Sequence, residues 1–344
     1  MKKYLFGSEN DFHNFIGKIS KDDKLGIVTH TDLDGIASAV FLQKILESKN
    51  LKISSIYFIN YDINSLNKIL EKDYDKLIFT DVNLDNFLNV LEELRKKSDV
   101  LIFDHHPLNE NLKDKKGIIK TESKYCSSHA LFDLSKKYFD TNNLEWLVCS
   151  AIITDYTWDE NFDFIKSIYP KIKKEVIFES KPGKIGRLIN EALIYYSPDY
   201  RKVYDLVLKK DLSSLEKASK IVGEEVNYWV KEFREKAEFF PEKKLFFLYR
   251  NPKYNIISSV TTILSDKYFR ESTLVFVSDV SDKTGFVKIS SRNQSGEVNL
   301  NDLLKKSIEG FEHANAGGHV KASGASFPKK SLSVFKERML NELK

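Results

Sequence analysis

Cysteine, proline, glycine and long apolar runs are all scarce in this 344-residue chain, and each scarcity excludes a class of protein. The two cysteines, Cys126 and Cys149, cannot form a disulfide framework and match no zinc spacing, so we expect small apolar packers in a reducing cytoplasm. The 14 glycines and 7 prolines are too few for a collagen-like or low-complexity chain. No apolar run reaches the roughly 18 residues of a membrane helix, and we expect neither a membrane partner nor a signal peptide.

Charge of one sign is also scarce, because 54 basic and 50 acidic side chains leave a net charge of only +4. This balance permits an anionic partner without requiring one. At one domain per roughly 150 residues, the length predicts about two domains, each with its own core.

The first 160 residues alternate between strand and helix patterns. Strands are predicted at 25–30, 53–59, 76–81 and 100–104, and helices at 36–47, 84–97, 127–139 and 144–156. Strands separated by helices imply parallel pairing with right-handed crossovers. We therefore predict an α/β domain with a parallel sheet over residues 1–160.

The rest of the chain divides into a helical, highly charged connector at 161–240 and a smaller α/β domain at 241–344. The connector suits either dimerisation or simple spacing of the domains. Strands are predicted at 244–249, 273–280 and 285–291, the last two forming a hairpin around 281–284, and helices at 257–267, 300–308 and 332–343.

Polar side chains follow three of the predicted strands at their carboxyl ends. Because these ends share one edge of a parallel sheet, ligands bind there. Besides Asp104, six Asp and His side chains stand at this edge: His30, Asp32, Asp34, Asp81, His105 and His106. Asp155, near the end of the helix predicted at 144–156, is a further candidate.

Such a cluster of carboxylates favours bound divalent cations. Neighbouring carboxylates repel one another and raise one another's pKa, and a cation relieves that repulsion. Mixed oxygen and imidazole ligands suit Mn²⁺, Fe²⁺ or Co²⁺, and Mg²⁺ less well. Six or seven ligands exceed the needs of one ion, so we predict two ions sharing a carboxylate, an arrangement that serves phosphoryl displacement.

These motifs, in this order, resemble the DHH phosphoesterase superfamily in its RecJ-like branch with a C-terminal DHHA1 domain. The resemblance spans nearly the whole chain. Four segments carry it in the N-terminal part: His30-Thr31-Asp32-Leu33-Asp34-Gly35, Phe79-Thr80-Asp81, Asp104-His105-His106-Pro107 and Ile153-Thr154-Asp155-Tyr156. Ser127-Ser128, before a helix, fits a small-residue segment of the family.

The resemblance implies a role for each residue. One metal would be held by His30, Asp32 and Asp81. The second would be held by the shared Asp81 together with Asp34, His105 and Asp155. His106 would face the scissile phosphate, and Asp104 would orient a histidine. His30 departs from relatives that place three residues before the first Asp, because only Thr31 intervenes here.

The C-terminal segment Ala316-Gly317-Gly318-His319-Val320-Lys321-Ala322-Ser323-Gly324 resembles the family's Gly-Gly-Gly-His loop, with Ala316 and Ser323 as departures. Glycines let a backbone approach a phosphate closely, and His319 adds a donor. Arg292 matches a family arginine that is expected to bind phosphate in bidentate fashion. We therefore predict a substrate pocket made by Arg292, Gly317, Gly318 and His319.

The resemblance implies metal-dependent phosphodiester hydrolysis without a covalent enzyme intermediate, with two ions that we expect to be Mn²⁺, or alternatively Mg²⁺ or Co²⁺. The favoured interpretation is an exonuclease that releases 5′-mononucleotides from single-stranded DNA or RNA, in one version beside a helicase or replication complex. The main alternative is a short-substrate phosphodiesterase acting on oligoribonucleotides, pAp-type nucleotides or cyclic dinucleotides. An inorganic pyrophosphatase and a non-catalytic replication scaffold are weaker alternatives.

Overall fold

The computed structural model describes residues 3–60, 63–280 and 284–343. It divides into two compact units, Met1–Ser219 and Lys220–Lys344, and the boundary falls inside one helix, Leu212–Lys236. In the described part of the chain, no helix combines the length and apolar character that spanning a bilayer requires.

The first unit contains six strands and nine complete helices among its described residues, together with the start of a tenth helix. The strands are β1 Tyr4–Phe6, β2 Leu25–His30, β3 Ser55–Ile59, β4 Lys76–Thr80, β5 Asp99–Asp104 and β6 Ile118–Thr121. The helices are α1 Glu9–Gly17, α2 Leu33–Ser48, α3 Ile63–Leu70, α4 Leu88–Arg95, α5 Ser127–Ser135, α6 Glu145–Thr154, α7 Phe162–Ile168, α8 Lys181–Tyr196, α9 Tyr200–Leu208 and α10 Leu212–Lys236.

The strands form one sheet in the order β1-β6-β5-β4-β2-β3, parallel except for the antiparallel edge strand β1. Both faces are covered, which is why the central strands are apolar on both sides. Ile78 packs into the larger core with α2, α5 and α6, while its neighbours Leu77 and Phe79 pack into a second core with α3 and α4. The predicted parallel α/β fold is confirmed.

Some predicted elements differ from the structure. The helix predicted at 84–97 is broken into a single turn, Leu84–Asn86, and α4, because Asp85 is buried and bonds elsewhere. The sequence analysis missed β1, α1, α3 and β6, which are short. In the segment predicted to be a connector, Ile177, Ile189 and Tyr204 belong to the first unit's core. The three-part division at 160 and 240 stays a prediction.

The second unit is also α/β. After α10, its elements are β7 Glu238–Phe240, β8 Leu245–Tyr249, α11 Ile257–Lys267, β9 Thr273–Asp279, β10 Phe286–Arg292, α12 Leu300–Ser307, β11 Asn315–His319, β12 Ala322–Pro328 and α13 Leu332–Glu342. The sheet has the order β11-β12-β10-β9-β8-β7, and only β8 and β9 pair in parallel. The predicted β9–β10 hairpin is present, although most of its turn, 281–283, lies outside the described residues.

The Gly-Gly-His segment differs from the expected loop. Gly317, Gly318 and His319 form strand β11, which pairs antiparallel with β12, so the segment is the final hairpin of the sheet. Gly318 has φ +143°, and a Cβ there would lie 2.5 Å from the Ala322 carbonyl oxygen. The hairpin therefore requires glycine at this position.

Candidate metal centre and nucleotide pocket

The sheet order explains why distant motifs meet. Strands β5, β4 and β2 are neighbours and run parallel, so their carboxyl ends share one edge. Asp104 ends β5, Asp81 directly follows β4, and His30 ends β2. The fold thus brings three predicted site residues to one edge of the first unit.

The segment from His30 to Gly35 turns tightly from β2 into α2. Asp32 caps the helix by accepting a hydrogen bond from the Gly35 N–H at 2.9 Å. A Cβ on Gly35 would lie 2.3 Å from the His30 carbonyl oxygen, so only glycine fits. The turn places Asp32 Oδ2 2.9 Å and Asp81 Oδ2 3.8 Å from His30 Nδ1. Desolvation opposes ionisation of Asp32, but the hydrogen bonds and charge of His30 and the Gly35 N–H lower its pKa to about 2.

Asp81 lies at the centre of the cluster and is almost fully buried. Its φ of +56° is rare for a residue other than glycine, and such strain is concentrated at functional sites. His105 Nε2 lies 3.4 Å from Asp81 Oδ1. Burial, followed by the nearby carboxylates of Asp34 and Asp32 and two further aspartates, raises the pKa of Asp81 well above its ordinary value. A bound cation would remove this penalty.

Asp34 has a structural contact that the sequence analysis did not predict. Its two carboxylate oxygens accept hydrogen bonds from the backbone N–H groups of Ser127 at 2.8 Å and Ser128 at 2.9 Å, which begin α5. This contact explains the small residues at that position, since it brings the start of a helix against a buried carboxylate. Asp34 is therefore rigidly held, and its remaining lone pairs stay available to a ligand.

Asp155 completes the edge from the end of α6. Its Oδ2 lies 4.0 Å from His105 Nδ1. Burial, followed by the Asp34 and Asp32 charges, raises its pKa. Cys126 lies beside Asp34 and Asp155, and burial raises the pKa of its thiol well above the ordinary value.

His106 is held by buried side chains that lie behind the cluster of proposed metal ligands around Asp81. Its Nδ1 and Asp104 Oδ1 are 2.8 Å apart, and Asp104 Oδ2 accepts a hydrogen bond from Lys120 Nζ at 2.6 Å. Desolvation opposes ionisation of Asp104, but its contacts with His106 and Lys120 hold its pKa well below the ordinary value. The predicted orienting role of Asp104 therefore has a physical basis in these contacts.

Lys120 extends this network to the loop that follows Asp81. Its Nζ also lies 2.6 Å from Asp85 Oδ1 and donates to Asn83 Oδ1 at 2.9 Å. Asp85 Oδ2 accepts from the Asn109 N–H at 2.7 Å. The sequence analysis gave neither Asp85 nor Lys120 a role. The available signal was a lysine in the apolar strand Ile118-Ile119-Lys120-Thr121.

Three groups of side chains could hold metal ions among the residues that the structure describes. They are His30, Asp32 and Asp81; Asp81, His105 and His106; and Asp34, Cys126 and Asp155. Asp81 belongs to two of them, which agrees with its predicted role as the shared ligand. The carboxylate and imidazole donors suit Mn²⁺, Fe²⁺ or Co²⁺, so the residues present fit divalent cations.

The second unit contains a separate pocket of about 430 Å³. Arg292, Gly317 and His319 line it, whereas Gly318 serves the hairpin backbone. The guanidinium of Arg292 is held by hydroxyls of α11, with Nη2 donating to Ser258 Oγ at 3.0 Å and Nε to Thr262 Oγ1 at 3.2 Å. The side chains that line this pocket are basic, whereas those clustered around Asp81 in the first unit are acidic.

Two family models match this chain. The model described as the DHH family, N-terminal domain, matches residues 24–172, and the model of the DHHA1 domain matches residues 243–344. The first covers all the proposed metal ligands, and the second covers the basic pocket. No curated protein matches the chain.

Several solved structures share the fold. A structure of exonuclease RecJ bound to manganese is 16% identical with a TM-score of 0.74, and the match covers 97% of this chain and 94% of that one. RecJ from Thermus thermophilus in complex with Mn²⁺ is 14% identical with a TM-score of 0.70, and the match covers 96% of this chain but only 53% of that one. CDC45 from Entamoeba histolytica is 10% identical with a TM-score of 0.61, and the match covers 97% and 98%. At these identities the likeness shows the fold alone.

Proposed function

Because this chain belongs to the DHH family and carries a DHHA1 domain, we propose that it is a metal-dependent exonuclease that releases 5′-mononucleotides from single-stranded DNA or RNA. The observation that carries the proposal is the convergence of carboxylates and imidazoles around the buried Asp81. The RecJ structures support it, because they combine the same fold with exonuclease activity and bound manganese.

The proposed ligand sets are those that the family resemblance implies, and the short distances among His30, Asp32 and Asp81 and between His105 and Asp81 support them in part. One ion would be held by His30, Asp32 and Asp81. The other would share Asp81 and use Asp34, His105 and Asp155. Two divalent ions, which we propose to be Mn²⁺, would stabilise the charge that develops on a phosphodiester during hydrolysis.

The remaining residues bind and orient the substrate. Asp104, fixed by Lys120, holds Nδ1 of His106 and so orients Nε2, which would donate to a phosphate oxygen. In the second unit, Arg292 would bind a substrate phosphate through its guanidinium, with His319 as a further donor. A substrate engaging several such groups through its phosphates should bind less tightly as salt increases.

A short-substrate phosphodiesterase is the second candidate, and the size of the basic pocket favours it. Pockets of this volume enclose ligands of nucleotide size. Such an enzyme would act on oligoribonucleotides of a few residues, on pAp-type nucleotides or on cyclic dinucleotides.

A product ladder separates the two candidates. Single strands of DNA and RNA, from dinucleotides to about 30 nucleotides and labelled at either end, are incubated with the protein and Mn²⁺. Stepwise loss of mononucleotides from long strands is expected and also gives the polarity. Cleavage confined to the shortest strands would favour the alternative, and no cleavage, with Asp81→Asn as the blank, would contradict both.

A further inference from the structure

Lys288 is a cationic side chain in the basic pocket to which neither the motifs nor the proposed mechanism gives a role. It is half-buried on β10 and lines the pocket together with Arg292. Side chains two residues apart on a strand share a face, so Lys288, Ser290 and Arg292 face the same way. The Ser290 hydroxyl forms a hydrogen bond with the Thr261 hydroxyl at 2.8 Å. Lys288 and Arg292 are therefore the two cationic side chains on this face of β10.

The surroundings of Lys288 leave its charge without a protein counter-ion among the described residues. Its Nζ donates to Asn255 Oδ1 at 2.5 Å. Within residues 3–60, 63–280 and 284–343, no carboxylate oxygen lies within 4.0 Å of this nitrogen. Burial lowers the pKa of Lys288, and no nearby acidic group offsets that effect. A half-buried ammonium of this kind gains most from an anion that is bound beside it.

The strands opposite Lys288 leave room for such an anion. Gly324 pairs with Ser290 on one side and with Gly317 on the other, so the floor of the pocket carries almost no side-chain bulk. A Cβ built on Gly317 would meet no atom within 4 Å. The floor of the pocket is therefore open above Gly317, on the second strand from the one that carries Lys288 and Arg292.

Lys288 and Arg292 are held at two separate places in the pocket. Lys288 bonds to Asn255, just before α11, whereas Arg292 bonds to Ser258 and Thr262 on that helix. Lys288 and Arg292 are four residues apart on β10, which places their Cα atoms about 13 Å apart. This separation suits two distinct anionic groups of one ligand.

We propose that Lys288 forms a second anion-binding point in this pocket, so that the pocket holds one nucleotide through two separate phosphate groups. Arg292 and His319 bind one phosphate, and Lys288 binds the other. The choice of ligand class rests on the proposed function, while the two binding points rest on the pocket itself.

The test measures binding without turnover. Metal-free protein in EDTA is titrated calorimetrically with adenosine 5′-monophosphate and with adenosine 3′,5′-bisphosphate. For the wild type we expect the bisphosphate to bind about tenfold more tightly, as one charge-assisted contact provides. Lys288→Met should remove that advantage and leave the affinity for the monophosphate within about twofold, whereas Lys288→Arg should retain most of it. Lys305→Met, an exposed lysine on α12, controls for the lost net charge.

Two outcomes overturn the inference. If the wild type binds both nucleotides equally, or binds neither, there is no second anion-binding point. If Lys288→Met weakens both nucleotides alike, Lys288 serves the same phosphate as Arg292 or only shapes the pocket. Because no hydrolysis is measured, a wild type that cleaves no phosphodiester but shows the Lys288 effect contradicts the proposed function alone.

Discussion

The two units carry opposite electrostatic arrangements. In the first unit, carboxylates crowd around Asp81 and raise its pKa. In the second, the cations Arg292 and Lys288 line a pocket floored by glycines. The first arrangement is relieved by cations and the second by anions, and these are the two partners of a metal-dependent reaction on phosphates. Each site is therefore electrostatically incomplete without its proposed ligand.

A second contrast lies inside the first unit. Asp81 and Asp104 are both buried at the same sheet edge, yet the pKa of Asp81 is raised and that of Asp104 is lowered. The difference is that Asp104 pairs with His106 Nδ1 at 2.8 Å and with Lys120 Nζ at 2.6 Å, whereas Asp81 lies among other carboxylates. Asp104, whose charge is balanced by a buried cation, stabilises the fold. Asp81, which lies among other carboxylates, would instead be stabilised by a bound metal ion.

The largest expected effect tests this contrast at Asp81. Asp81→Asn removes the carboxylate that both proposed ions share, so hydrolysis should fall by more than about 1000-fold and Mn²⁺ binding, measured by calorimetry, should weaken sharply. The free energy of unfolding of the metal-free protein should stay the same or rise, because the amide removes charge repulsion. Asp22→Asn, on an exposed aspartate, is the matched control.

Substantial hydrolysis by Asp81→Asn would contradict the shared-ligand assignment. A large loss of stability in EDTA would instead show that Asp81 is a structural residue like Asp104, and the contrast between the two would disappear.

Lys120→Met should have the second largest effect, and on stability. It leaves Asp85 and Asp104 buried without their cation, which costs about 3–5 kcal/mol of unfolding free energy. Urea unfolding of metal-free protein measures this loss, with Lys305→Met as the control for net charge. A loss below about 1 kcal/mol would show that the buried network is not held by its charge.

Sequence alone predicted that polar side chains meet at one edge of the sheet, because strand periodicity and polar strand ends are local signals. The bounds of the helix at 257–267 and of β2 were predicted to the residue, and those of β5 nearly so. The sequence analysis missed Lys120 and Asp85 because their pairing depends on which strands become neighbours, and that order is not written in a local pattern. Gly317 and His319 appeared as a loop because glycine-rich sequence is typical of turns, whereas pairing with β12 makes this segment a strand.

The pH dependence of stability tests a third kind of buried group, a histidine with no role in either site. Burial, only partly offset by the charge of Asp133, lowers the pKa of His129 from 6.5 to about 4. Its stabilising contribution is therefore complete above pH 6.5, where the unfolded chain is also neutral, and falls as the pH drops toward 4. The total loss is about 3 kcal/mol.

Thermal unfolding between pH 7 and pH 4, in EDTA, measures this slope. His129→Phe, which retains the ring packing against Phe164, should flatten it. An unchanged slope would assign the acid sensitivity to other groups, of which His13 is the first to test, because burial lowers its pKa as well.

The smallest expected effect is on KM, and it tests whether the sites of the two units act independently. Arg292→Ala should raise KM about tenfold, because it removes a bidentate phosphate contact, and His319→Ala should raise it by less. The Mn²⁺ content, measured by atomic absorption, should not change, because every proposed metal ligand belongs to the first unit. If Arg292→Ala lost metal instead, the acidic and basic sites would not be independent, and the opposite charges of the two units would have to be explained as one electrostatic system.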